Sequence, residues 1–343
     1  MKIQTNHRFN KKLLLLIGVV SLLCLACNKN DKESETTTRS FNYLDTLNTI
    51  PANNPITIEK VNLGKKLFFD PLLSKNKNIS CASCHEPALA FSDGVAQSQN
   101  GNSKKTLDRN SPAIFNLAWH NDFFWDGGKI GLENQAFGPI RNKDEMAMDL
   151  DTLIIRLQAH HTYPYLFQQA FADGLQIENV VRALASYERT LISFSSKYDE
   201  YKKGNGTFTT AEKAGQKVFS VNCSSCHTPP LFTDTKFHNN GINGTINEDF
   251  EHPSQGKYRV TGKIEDQGKY KTPSLRNLAF TAPYMHDGRF TSIEAILTQY
   301  ENPKASHTLA SELTNGIHLT TQEKEDLIIF LNTLNDYKFI SEN

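Results

Sequence analysis

The first apolar feature of the chain is an unbroken run over residues 13–26 (LLLLIGVVSLLCLA), preceded by Lys2, Arg8, Lys11 and Lys12 with no acidic residue among them. The run is shorter than the ~20 apolar residues that a membrane-spanning helix needs. A basic flank, a short apolar centre and a small-residue end together predict an export signal over residues 1–26. Residues 27–55 are rich in Thr, Asn, Lys and Glu and too poor in apolar residues to fold alone, which predicts a polar tether. Beyond it the pattern turns helical. Val180, Val181, Leu184, Tyr187, Leu191 and Ile192 recur near 3.6-residue spacing within 177–195, as do Leu327, Ile328, Phe330, Leu331 and Leu334 within 322–334. Both stretches predict amphipathic helices. Two segments echo each other, Gly64-Lys-Lys-Leu67-Phe68 and Gly215-Gln-Lys-Val218-Phe219. No sustained period-2 alternation appears, so the expected fold is mainly α, with long functional loops rich in Gly and Pro.

Composition narrows what such a fold is for. With 343 residues, 38% hydrophobic and 22% charged, the chain can bury a core and is long enough for about two domains of ~150 residues, which excludes a mostly disordered chain. Its 37 Lys and Arg balance 37 Asp and Glu, so no global field favours nucleic acid. The six cysteines form three close pairs, Cys24 with Cys27, Cys81 with Cys84, and Cys223 with Cys226, unlike the scattered set of a disulfide framework.

Two of the pairs carry chemistry. Cys81-Ala-Ser-Cys84-His85 and Cys223-Ser-Ser-Cys226-His227 are both C-x-x-C-H, the pattern of covalent c-type haem attachment. Two thiols three positions apart can each form a thioether to one haem vinyl, and the adjacent histidine can swing under the ring to bind iron. Zinc or a redox disulfide would account for a cysteine pair but not for a histidine directly after both. The two glycine echoes precede these motifs and lie nine residues farther apart than the motifs do, which places nine extra residues in the first copy, around 70–78. Each echo resembles the N-terminal helix of a cytochrome c domain. The expectation is two cytochrome-c-like domains, 56–195 and 196–343, each with one c-type haem.

Further motifs extend the resemblance. Leu63-Gly-Lys-Lys-Leu-Phe-Phe-Asp70, Arg109-Asn-Ser-Pro112, Phe124-Trp-Asp-Gly127, Glu133-Asn-Gln-Ala-Phe-Gly-Pro139, Glu145-Met146 and Pro273-Ser-Leu-Arg-Asn-Leu-Ala-Phe-Thr-Ala-Pro-Tyr-Met-His-Asp-Gly288 resemble the bacterial dihaem cytochrome c peroxidase family, including its MauG-type, tyrosine-ligand branch, over about residues 55–340. That resemblance implies a peroxide-reducing first haem, an electron-storing second haem and Trp125 as the electron bridge between them; taken alone, Trp125 reads as a buried aromatic anchor. It makes Glu145 the distal acid–base group that moves a proton between the two peroxide oxygens, with Gln135 and Pro139 at matching spacings. Without the motif, Glu145 reads as a solvated acid in the run 143–145.

Peroxide must bind an iron with an open face. Many dihaem peroxidases carry a ligand histidine after the first C-x-x-C-H, whereas residues 86–119 here contain neither His nor Met. The expectation is a pentacoordinate first haem on His85, with His120 or Met146 as competing sixth ligands. On the second haem, opposite His227, Tyr300 stands fourteen residues after His286, where MauG-type members carry a tyrosine ligand and other family members a methionine. A phenolate favours ferric and higher iron states. Met285 is the alternative ligand, and an open site with Tyr300 in the core is a third. His286 is expected to hydrogen-bond a haem propionate. The resemblance also implies a calcium ion held by Asn110 and the carbonyls of Thr281 and Pro283, against which stands Asn110 as a plain turn cap. The remaining histidines, His160, His161, His238, His252, His307 and His318, show no ligand spacing.

The N-terminus resembles a bacterial lipoprotein signal, with Cys27 after Leu25-Ala26 as the lipidated residue, although Cys24 stands where that box usually has Leu. An ordinary signal peptide or an uncleaved anchor is the competing assignment, and each takes the chain out of the cytoplasm. The leading expectation is a lipid-anchored periplasmic or cell-surface enzyme that reduces hydrogen peroxide with electrons from a small c-type cytochrome or copper protein. A second is MauG-like oxidation of residues in a partner protein. A third, of another class, is a non-catalytic dihaem electron carrier or sensor, with two six-coordinate irons and a dispensable Glu145. Family members are often dimers, so a homodimer is expected by analogy only.

Overall fold

The computed structural model describes residues 50–304 and 306–343, so the export signal, Cys27 and most of the tether lie outside the described residues. The first half holds helices α1 (Ile58–Phe69), α2 (Leu132–Arg141), α3 (Leu150–Gln158), α4 (Tyr163–Ala170) and α5 (Ile177–Thr190). The second holds α6 (Lys197–Lys202), α7 (Thr210–Asn222), α8 (Tyr258–Thr261), α9 (Ile293–Glu301), α10 (Thr321–Asn332) and α11 (Tyr337–Glu342). Two small antiparallel pairs, β1 (Asp122–Phe123) with β2 (Lys129–Ile130) and β3 (Phe237–His238) with β4 (Tyr270–Lys271), are set among the loops.

Local chemistry starts the long helices. Thr209 with Glu212, and Thr320 with Glu323, form reciprocal capping boxes at α7 and α10, and the Thr57 hydroxyl accepts from Lys60 N at α1. The apolar stripe of α5 is buried as its spacing predicts, with Val180, Val181, Leu184 and Tyr187 all at most 4% exposed. The helix nevertheless stops at Thr190, short of residue 195. Asn116 captures the segment beyond it: its N–H donates to the Leu191 carbonyl (2.8 Å), its amide oxygen accepts from Ser193 N (2.8 Å), and its amide nitrogen donates to Ser193 O (3.1 Å).

The glycine echo has a physical cause. α1 crosses α5 at Gly64, where a Cβ would overlap the Ala183 carbonyl, and α7 crosses α10 at Gly215, where a Cβ would overlap the Asp326 carbonyl. The same backbone-on-backbone crossing is thus built twice. Because the obstructing atoms are backbone and cannot rotate away, Gly64→Ala and Gly215→Ala are each expected to destabilise the protein by about 1–3 kcal/mol, read from denaturant midpoints at unchanged slope.

Two hydrophobic cores flank these crossings. The first includes Leu67, Phe68, Leu153, Phe167, Val180 and Leu184, and the second Phe208, Phe219, Phe232, Leu327, Phe330 and Leu334. The last helix, α11, returns to the first core: Phe339 is 4% exposed and packs its ring against Phe91 (5.9 Å) and Phe115 (6.0 Å). A second internal echo, which helical periodicity does not expose, relates 111–119 (SPAIFNLAW) to 272–280 (TPSLRNLAF). Its two asparagines, Asn116 and Asn277, adopt left-handed backbone (φ 57° and 62°) and are buried. Asn277 donates to Ser193 Oγ (3.0 Å) and accepts from Asp336 N (2.8 Å), so both asparagines converge on the segment after α5.

Candidate active site

Each C-x-x-C-H motif closes into a tight turn in which the histidine N–H donates to the carbonyl of the first cysteine, His85 to Cys81 at 3.0 Å and His227 to Cys223 at 2.9 Å. The imidazoles are fixed in the same way. His85 Nδ1 lies 3.0 Å from Phe91 O, and His227 Nδ1 lies 3.2 Å from Phe232 O and 3.1 Å from Pro273 O. A carbonyl can only accept, so each ring carries its proton on Nδ1 and leaves the Nε2 lone pair free, the tautomer that an iron ligand requires. The two phenylalanines that supply these carbonyls, Phe91 and Phe232, are held in the left-handed region, at φ 61° and 56°. Burial pulls both histidines below the ordinary imidazole range, which keeps them neutral. The four thiols are not paired with one another, and burial pushes all of them up, Cys223 to about 12. Two thiols beside one neutral, oriented imidazole form the donor set that a covalent haem uses, and it is present twice.

Within electrostatic reach of the first motif stands the loop after α2. Pro139, inside α2, offers its carbonyl to Met146 N (3.1 Å), while Asn142 N donates to Gly138 O (3.0 Å) and Glu145 N to Asn142 O (3.0 Å). These bonds fold the chain back so that Asn142 Nδ2 donates to Glu145 Oε1 at 2.6 Å. The loop at Gly101 presses on this turn, since a Cβ there would overlap the Asp144 carbonyl, and Asn102 N donates to Glu145 O (2.6 Å). Desolvation raises the Glu145 pKa above the ordinary glutamate range, with the Asn142 bond opposing it, and the carboxyl is close enough to Cys84 to act on that thiol electrostatically. Gln135 lies on α2 one turn before Pro139 and makes no side-chain hydrogen bond to another described residue.

Of the two residues weighed as competing sixth ligands, one is buried and the other is held by a cation. Met146 is 4% exposed within the first core. His120 Nδ1 accepts from Lys271 Nζ at 2.8 Å, and burial together with that cation drives its pKa down to about 3. Lys271 also donates to the Asp122 carbonyl and lies over the Phe123 ring, and desolvation lowers it to about 8.

Trp125 sits on the β1–β2 turn between the two halves. Its indole N–H donates to Asn110 O (2.9 Å) on one side, and its carbonyl accepts from Lys271 N (2.8 Å) on the other. Beside it, Arg109 forks onto Asp126 (2.9 and 2.8 Å) and reaches Pro253 O (2.7 Å). Asn110 N donates to His286 O (2.9 Å), which ties the segment containing Thr281 and Pro283 to the loop that carries Asn110. The Asn110 amide nitrogen spans to Val95 O (2.8 Å) and Ala96 O (3.2 Å), leaving its oxygen outside those bonds. His286 is buried, stacks on Tyr270 at 3.7 Å, and is lowered to about 3 by desolvation. Of the other histidines, His160 and His161 stack on each other, and His238 pairs with Asp234 (2.7 Å).

Near the second motif, Tyr300 lies close enough to Cys223 and Cys226 for both thiols to act on it. Its hydroxyl is 3.5 Å from Asn240 Nδ2, and Met285 Sδ is 3.6 Å from the same nitrogen. The two alternative ligands therefore meet at one amide, whose oxygen is buried without a partner.

Periodicity and motif spacing missed three groups. Asn240 is sixty residues from Tyr300 and carries no local signal. Arg276, fully buried, forks onto Asp199 (2.9 and 2.7 Å), donates to Pro230 O (2.9 Å) and lies over the Phe232 ring. It lies within the 273–288 motif, which assigns it no role, and the second echo sets it opposite Phe115. Glu188, within electrostatic reach of Cys81, is buried with one oxygen unpartnered and is pushed up to about 8 by desolvation.

Comparison with known proteins bears on this arrangement directly. A family model for di-haem cytochrome c peroxidase matches residues 58–207. The methylamine utilization protein MauG of Methylorubrum extorquens is 38% identical over 83% of this chain and 80% of its own length. Cytochrome-c peroxidase IdrP1 of Pseudomonas sp. (strain SCT) is 35% identical, covering 83% of each. Among solved structures, a MauG-like protein associated with microbial copper homeostasis shares the fold with a TM-score of 0.78 and 32% identity, over 85% of this chain and 93% of its own.

Proposed function

Because this chain belongs to the di-haem cytochrome c peroxidase family, we propose that it reduces hydrogen peroxide to water, drawing electrons from a small c-type cytochrome or copper protein. The family implies two c-type haems; Cys81, Cys84 and His85 would hold the first, and Cys223, Cys226 and His227 the second. Bound there, haem supplies a redox-active iron beside each imidazole Nε2. The rest is work for the chain's own groups. As a carboxylate, Glu145 would take a proton from one peroxide oxygen and deliver it to the other as the O–O bond breaks, releasing a first water; two electrons from the redox donor and two protons from solvent would convert the remaining oxygen into a second water. The Asn142 bond aims one carboxylate oxygen and leaves the other for this transfer. Gln135 and Pro139 are assigned to shaping the same pocket.

The observation that carries this reading is the desolvated carboxyl of Glu145 within electrostatic reach of Cys84 in the first motif. The engagement of His120 Nδ1 by Lys271 supports an open first iron. The contacts of Trp125 to Asn110 on one side and Lys271 on the other support its role as electron bridge.

A second reading, oxidation of residues in a partner protein, is favoured by Tyr300 beside the second motif, because a phenolate ligand stabilises the higher iron states that such chemistry draws on. Calcium at Asn110, Thr281 and Pro283, division into domains 56–195 and 196–343, export with a lipid on Cys27, and homodimerisation complete the proposal. Among the described residues no helix is long and apolar enough to cross a membrane.

Electron paramagnetic resonance of the diferric protein tests the open site. The expected result is one high-spin and one low-spin signal, both lost after one equivalent of hydrogen peroxide without reductant. Two low-spin signals indifferent to peroxide would overturn it.

A further inference from the structure

Tyr300 and Met285 reach the second site from different parts of the chain, yet both end on the side-chain amide of Asn240, at 3.5 and 3.6 Å. The amide oxygen is buried with no partner. A buried, half-satisfied amide is costly, and its retention calls for a task at the nitrogen end. The loop that carries it is locked to the helix that carries the tyrosine. Gly241 O accepts from Lys304 N (2.8 Å) and from Gln299 Nε2 (3.2 Å), next to Tyr300 on α9. Asn239 is held by Ser306 Oγ (2.9 Å) and Thr308 Oγ1 (2.8 Å), and its own oxygen accepts from Gly241 N (2.9 Å). At Gly241 the backbone is left-handed (φ 71°), and a Cβ would press on Pro303 and Lys304. Amide and phenol are therefore positioned as one rigid unit.

We infer that Asn240 is a positioning residue for the ligand of the second iron: its amide N–H donates to the Tyr300 oxygen and sets how strongly that oxygen donates to the metal. This rests on the reading of Tyr300 as that ligand. A hydrogen bond to a ligating phenolate withdraws electron density from it, which eases reduction of the metal; without the bond the phenolate donates more strongly and the oxidised state is favoured. The amide also holds Met285 at the edge of the site by a weak N–H to sulfur contact, so it orders the two candidate ligands relative to each other.

The test is a spectroelectrochemical titration of the holoprotein carrying Asn240→Leu, which keeps the side chain's size and removes the donor. The second haem is expected to become harder to reduce by about tenfold in equilibrium constant, ~59 mV for one electron. Its low-spin resonance should shift while the first haem's potential stays in place. Asn240→Asp, with an acceptor in place of the donor, is expected to move the potential the same way and serves if the leucine variant fails to load haem. In a Tyr300→Phe background, Asn240→Leu should be silent. A change of less than twofold in the variants, with both haems bound, overturns the inference. If Tyr300→Phe leaves the low-spin signal and potential as in the parent, the ligand assignment itself falls, and this inference with it. If Tyr300→Phe changes both and the Asn240 variants change neither, only the role of Asn240 falls.

Discussion

Glu145→Gln is expected to slow the reaction of the first haem with peroxide by about 10²–10⁴-fold, to be read by stopped-flow spectroscopy with both haems bound, the range by which a positioned acid–base group accelerates proton transfer. Glutamine has nearly the same shape and can keep the contact with Asn142, so the loss isolates the proton rather than the packing. The pH profile gives an independent check. The working form is the carboxylate, and burial raises the pKa of Glu145, so the parent rate falls as pH drops through a midpoint above the ordinary glutamate value. The glutamine variant has no such limb. A rate within threefold of the parent would favour the electron carrier or sensor, in which Glu145 is dispensable.

Arg276→Leu is expected to cost about 3–5 kcal/mol of stability, because it strands Asp199 as a buried carboxylate facing an apolar side chain. The double variant Arg276→Leu with Asp199→Asn removes the stranded charge and keeps a polar group for Ser196, whose N–H and hydroxyl donate to Asp199 Oδ2 (2.9 and 2.7 Å). It should recover a large part of the loss, and denaturant titration of the four proteins gives the coupling directly. Arg276 lies over Phe232, whose carbonyl faces His227 Nδ1, so the single variant should also disturb the low-spin signal of the second haem. Equal stability of the single and double variants would show that the stranded charge is not the cause.

Legibility tracked the range of the interactions. The haem motifs were plain because three consecutive chemical requirements fall within five residues. The helices α5 and α10 were plain because their burial is periodic. The end of α5 was missed: the residues after Thr190 are as apolar as those before, and the helix is stopped by Asn116, more than seventy residues away. The candidate site divides in the same way. Glu145 and Trp125 are singled out by motif resemblance, while the local geometry around them, the Pro139 carbonyl on Met146 and the Lys271 contacts with His120 and the Trp125 backbone, comes from loops whose sequence carries no period. Asn240 and Arg276 are held by partners forty-five or more residues distant, where no local pattern reaches.

The return of α11 to the first core has a consequence for how the molecule is made. Phe339 packs on Phe91, the residue whose carbonyl orients His85, and on Phe115. A chain that emerges from its N-terminus presents Cys81 and Cys84 long before residue 339 exists, so the first half cannot seal during synthesis. The contacts of Phe339 with Phe91 and Phe115 can form only once the last few residues arrive. Removal of residues 337–343 would leave that half permanently unfinished, however faithfully the second half had folded.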